Sequence, residues 1–114
     1  MATKTLTVTF ATGSAELDEN AKIIIEMGIA EEARTFASAR LRIEGNTDSV
    51  GSYENNVYLS KRRAQAVADY LSSKYGFDPD RFVVVGNGPN KPVADNGTAS
   101  GRARNRRTDF SLLP

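Results

Sequence analysis

The chain has 114 residues, 39% hydrophobic and 25% charged, with a net charge of +1 and neither cysteine nor histidine. That length carries one domain with a single core, and 1–114 is read as one unit. The missing residue types exclude thiol nucleophiles, disulfides, imidazole bases and the usual zinc ligand sets, so an enzyme, a small hydrolase included, is not expected.

"TLTVTF" alternates, with Leu6, Val8 and Phe10 on one face, and predicts a half-buried strand over residues 5–10. After the loop "ATGSAELDEN", Asp18 serves as N-cap of a helix. Ala21, Ile24, Ile25, Gly28, Ile29, Ala33 and Phe36 recur at helical spacing through Ala39, and Gly28 weakens the helix without ending it. "RLRIEGN" predicts a second strand burying Leu41 and Ile43, which feeds a loop from Asn46 to Tyr53. A helix follows and ends at Tyr75, with Gly76 as a left-handed C-cap.

"FDPDRF" is a turn in which Asp78 and Asp80 flank Pro79. "FVVVG" is a continuous apolar run of the kind that occupies a sheet interior. "GNGPNKPVADNGTASG" is a long ordered loop, "SGRARNRR" gives a helical turn or two, and "TDFSLL" a fourth strand. The order β-α-β-α-β-(loop/short helix)-β predicts an α/β two-layer sandwich, a mixed four-stranded sheet with two main helices on one face.

One residue in the second helix is out of place. With Leu59, Ala66, Val67, Tyr70 and Leu71 as the buried stripe, Arg63 falls inside it while Arg62 points outward. An isolated buried guanidinium is prohibitive, so an acceptor must meet it. Asp48, in the loop feeding this helix, is the nearest acid by chain logic. Asn56 lies two turns up the same face, with Ser60 between. The three residues Asp48, Asn56 and Arg63 fit two readings. One is a structural or protein-interaction domain whose Asp48-Arg63 pair is only a salt bridge. The other is a zwitterion site in which the aspartate takes an ammonium and the arginine grips a carboxylate. Spacing does not decide between them.

The stretches "FATGSAEL", "IEGNTDSVGSYENNVYLSKRRAQAVADYL" and "VVVGNGPNKPVADNGTASGRARNRR" closely resemble the OmpA-like C-terminal domain family, from about Phe10 to Leu113. The motif is Thr-Asp, a glycine three residues on, an asparagine five after that, Leu-Ser-x-x-Arg-Ala, and a late Asn-Arg-Arg. The resemblance implies noncovalent binding of peptidoglycan through the diaminopimelate residue of its stem peptide. It further implies a cell-wall anchoring domain in the periplasm or cell envelope, associated with the outer membrane and excised from a larger exported protein. Asp48 and Arg63 would hold the ligand's head group, with Asn56 and Thr47 orienting it and the backbone around Gly51 completing the loop. Asn105 and Arg106 would support the loop and sheet end from beneath, one of them with a direct contact. Asn46 and Gly13 stand where many members carry other residues, so they bear on fine specificity and not on the charged pair.

Other features carry less. Residues 1–60 hold 5 basic and 9 acidic side chains and residues 61–114 hold 10 and 5, a polarity weak for a nucleic-acid binder. "GRARNRR" has no interleaved aromatics for stacking, so no nucleic-acid partner is expected, and Arg102 and Arg104 are read as a solvated face. Glu16, Asp18 and Glu19 offset a helix dipole, and no metal or cofactor is expected. "GNGPNKP" lacks the Lys-Ser/Thr step of a phosphate cradle. No apolar run approaches the roughly 18 residues of a membrane span. "MATKTLTVTF" leads into an alternating strand, so no signal peptide is read in this chain.

Overall fold

The computed structural model describes residues 6–113; Thr5, the expected start of the first strand, and the side chain of Leu6 lie outside that description. Strand β1 is Leu6–Thr9, and Phe10 follows it, buried. The first helical run has three parts: α1 (Glu19–Ile24), a π-helical segment (Ile25–Ala30) and α2 (Glu31–Thr35). Then come β2 (Arg40–Gly45), α3 (Tyr53–Tyr75), a 3-10 turn (Pro79–Arg81), β3 (Phe82–Gly86), α4 (Ala99–Asn105) and β4 (Arg107–Leu113).

The sheet order is β1-β4-β2-β3, with β4 antiparallel to both neighbours and β2 parallel to β3. Parallel pairing of consecutive strands requires a crossover, and α3 supplies it. Leu41 pairs with Leu112 and Ile43 with Phe110, all four buried, in one core with Ile25, Ile29, Val67 and Leu71. The two-layer mixed architecture is thus as the pattern predicts.

Four expectations need correction. The first helix is not uniform: Ala21, Ile25, Ile29 and Ala33 are spaced by four, which drifts around an α-helix of about 3.6 residues per turn. The wider π turn absorbs that drift and keeps all four buried. The run ends at Thr35, not Ala39, and Phe36 is 39% exposed. Apolar "FVVVG" is an edge strand, paired only with β2; Val84 packs on the core, and Val83 and Val85, opposite Arg42 and Glu44, lie on the other face. On α3 the buried line is Asn56, Ser60, Arg63, Ala64, Val67, Ala68 and Leu71, leaving Leu59, Ala66 and Tyr70 half-buried at its margin.

Local signals set the ends of these elements. Asp18 caps α1 by accepting from the Ala21 N–H at 2.7 Å, and Ser52 caps α3 by accepting from Asn55 N–H. Gly76 ends α3 in the left-handed region, and Asp78 accepts from the Asp80 N–H at the turn. The position of α3 on the sheet depends on Gly45. A Cβ there would sit 1.6 Å from the Ser60 carbonyl oxygen, so the helix lies directly on the strand end only because β2 finishes without a side chain.

Candidate functional site

The helix-strand contact at Gly45 brings the N-terminal half of α3 beside the loop that leaves β2. Arg63 is fully buried, and its guanidinium donates to three backbone carbonyls: Nε to Ser14 at 2.8 Å, one terminal nitrogen to Asn46 at 2.9 Å and the other to Ala11 at 3.1 Å. The ring of Phe10 lies 5.2 Å from its central carbon. The arginine therefore ties the β1 exit loop to the β2 exit loop. A guanidinium carries more N–H donors than these three bonds consume. Burial pushes its pKa down to about 10; the charge of Asp48 opposes that fall and the charge of Arg106 adds to it, so the group stays cationic at neutral pH.

No salt bridge joins Asp48 to Arg63. Asp48 pairs instead with Arg106, Oδ2 to guanidinium at 3.1 Å, while Oδ1 accepts from the Val50 N–H at 3.0 Å. The reading in which Asp48 and Arg63 serve only each other is thereby corrected: carbonyl oxygens, which no side-chain pattern reveals, had already met the arginine. Arg106 also donates to the Phe10 carbonyl at 3.1 Å, fixing it under the same loop.

These groups line a small cavity of about 120 Å³ with Thr12, Gly13, Thr47, Val50, Asn56 and Leu59. Thr47 donates to the Asp48 carbonyl at 2.8 Å, and the Asn56 amide donates to the Val50 carbonyl at 3.0 Å. Its Oδ1 receives no hydrogen bond from the described residues. Gly51 has φ +93, a conformation that a side chain would strain, and it lets the loop turn back into α3. Two arginines and one aspartate leave the cavity a net positive charge. A larger cleft, about 640 Å³, runs between α3 and β3 past Lys61, Gln65 and Asp69. None of its polar side chains is buried, so the small cavity, where buried charges converge, is the candidate site.

The structure brings together Asp48, Arg63, Asn56, Thr47, Gly13 and Arg106 at this cavity, whereas three other candidates lie outside its lining. Asn46 is buried, donates to the Glu44 carbonyl at 3.0 Å and accepts from Asn87 at 3.1 Å. Gly51 shapes the loop. Asn105 is buried and clamps the long loop, accepting from the Val93 and Ala94 N–H groups and donating to the Ala94 carbonyl. Of the other lining residues, Leu59 reads from sequence as part of the apolar stripe and opens the Leu-Ser-x-x-Arg-Ala motif but not as a cavity wall, while Thr12 carries no signal and Val50 only its proximity to Asp48. Arg102 is not simply solvated, since it donates to the Asn96 carbonyl at 3.0 Å, while Arg104 is exposed.

At the sheet end, burial alone would raise the Glu44 carboxyl. Hydrogen bonds from Asn87 and Lys91, with the charges of Lys91 and Arg42, outweigh burial and hold it below its ordinary value. Among the described residues no group of three acidic side chains could hold a metal ion, and no helix is long and apolar enough to cross a membrane.

The chain belongs to the OmpA family, whose model matches residues 9–106, a span that holds every member of this cluster. It is 42% identical over 107 residues to outer membrane porin F of Pseudomonas aeruginosa, which takes in 94% of this chain and 30% of that protein. Over 82 residues it is 42% identical to the peptidoglycan-binding protein ArfA of Mycobacterium tuberculosis, 72% of this chain and 25% of that one. Among solved structures, the peptidoglycan-associated lipoprotein of Burkholderia pseudomallei matches with a TM-score of 0.86 at 29% identity, covering 94% of this chain and 89% of that one. The chain spans about a quarter to a half of the length of the curated relatives it matches.

Proposed function

We propose that this domain binds peptidoglycan noncovalently and anchors a cell-envelope protein to the cell wall, as a binding module and not as an enzyme. The observation that carries the reading is the convergence of Asp48, Arg63 and Arg106 on one small cavity lined by Asn56 and Thr47. The ligand group is the zwitterionic head of diaminopimelate in the stem peptide. Its carboxylate takes the remaining N–H donors of Arg63 and those of Arg106. Its ammonium sits between Asp48 and the Oδ1 of Asn56. The names of the peptidoglycan-binding and peptidoglycan-associated relatives support the partner, and the greater length of porin F and ArfA supports a domain within a longer exported protein of the periplasm or cell envelope.

The test is cosedimentation with purified peptidoglycan whose stem peptide carries either diaminopimelate or lysine. Lysine lacks the second carboxylate, so the arginines would face an unmatched site, a loss of roughly 2–5 kcal/mol by analogy with truncated buried pairs. The domain should pellet with the first wall and not the second. Equal pelleting would contradict the diaminopimelate assignment.

A further inference from the structure

We infer that Tyr53, with Val50 and Asn90, forms a platform beside the cavity for a sugar ring of the glycan strand, an inference that rests on the peptidoglycan reading above. Large apolar side chains normally turn inward, yet Val50 is 60% and Tyr53 56% exposed next to a charged cavity. Val50 also lines that cavity, and its backbone is held on both sides, by Asp48 at its N–H and by Asn56 at its carbonyl. Tyr53 opens α3 three residues before Asn56, which puts their Cβ atoms about 5–6 Å apart on one helix face.

The tyrosine is restrained although it is exposed. Its hydroxyl accepts from the Asn90 amide at 2.9 Å, across from the long loop. A ring held this way presents a fixed face and loses little rotamer freedom when a ligand covers it. A pyranose ring has an apolar C–H face and a rim of hydroxyl and acetamido groups. The Tyr53 ring and the Val50 side chain match the face. The second N–H of the Asn90 amide and its Oδ1, which receives no hydrogen bond from the described residues, match the rim. A stem peptide spans at most about 3.3–3.6 Å per residue, so Tyr53, about one helical turn from the cavity, is within reach of a sugar a few residues away.

The experiment titrates wild type, Tyr53→Ala and Tyr53→Phe with a soluble diaminopimelate muropeptide bearing its disaccharide, and with the same stem peptide stripped of sugar. Wild type should prefer the muropeptide on the order of five- to tenfold, the size of one aromatic contact. Tyr53→Ala should erase the preference while leaving affinity for the bare peptide intact, and Tyr53→Phe should keep most of it. Equal wild-type affinity for the two ligands would overturn the platform and leave the cavity reading standing. The same holds if Tyr53→Ala loses equally on both, which would place a stem-peptide side chain on the tyrosine. Wild type binding neither ligand would overturn both.

Discussion

The two halves of α3 bury the same face in different chemistry. The N-terminal half buries Asn56, Ser60 and Arg63, and the C-terminal half buries Val67, Ala68 and Leu71. In the polar half each buried group finds a partner outside the helix or one turn back: Ser60 accepts from the Gly88 N–H, Asn56 donates to Val50, and Arg63 reaches two loops. In the apolar half the side chains simply pack with Ile25, Ile29 and Leu41 in the core. An apolar side chain at position 63 could pack, but it would leave the Ala11, Ser14 and Asn46 carbonyls without their donor. It would remove the donors that face the cavity. One half of the helix thus contributes packing alone, and the other ties the loops together and presents charge to the cavity.

The sharpest break of this contrast is at the joint between helix and sheet. Gly45→Ala would drive a Cβ into the Ser60 backbone, which no side-chain rotation relieves. The expected loss is above about 5 kcal/mol, with folding and wall binding failing together in denaturant unfolding and sedimentation. A smaller effect is expected in the apolar half. Leu71→Ala empties a fully buried site and should cost about 2–5 kcal/mol, while peptidoglycan binding per folded molecule stays at the wild-type level. Loss of binding without loss of stability would mean that the C-terminal half also contributes to the site.

Much of this was legible in the sequence where a side chain's own chemistry set its place. Leu41 and Ile43 alternate, Asp18 caps α1, Gly76 ends α3, and an arginine in an apolar stripe announces a buried polar site. The failures have a common cause. Arg63 meets the carbonyls of Ala11, Ser14 and Asn46, and a carbonyl is the same group in every residue, so no pattern marks it. The partner of Asp48 is 58 residues away, and only the fold makes them neighbours. The π segment leaves apolar spacing almost unchanged, and "FVVVG" reads as an interior strand because sequence does not say which strand ends the sheet. The mouth of the cavity escapes the sequence for a different reason: Thr12 has no distinguishing chemistry and Leu59 reads as a core residue, and both become lining only when two loops close over α3.

The central claim is that the charge of Asp48 serves the ligand. Asp48→Asn keeps an oxygen for the Val50 N–H and removes the anion that faces Arg106. Its stability cost should be the smallest here, about 1–3 kcal/mol, since the Arg106 guanidinium retains its bond to Phe10. The deciding measurement is sedimentation of this variant with diaminopimelate-type peptidoglycan at a temperature where its melt shows it folded. The account predicts at least a tenfold fall in affinity, about 1.4 kcal/mol or more. Binding equal to wild type per folded molecule would contradict it and leave the aspartate a structural partner of Arg106.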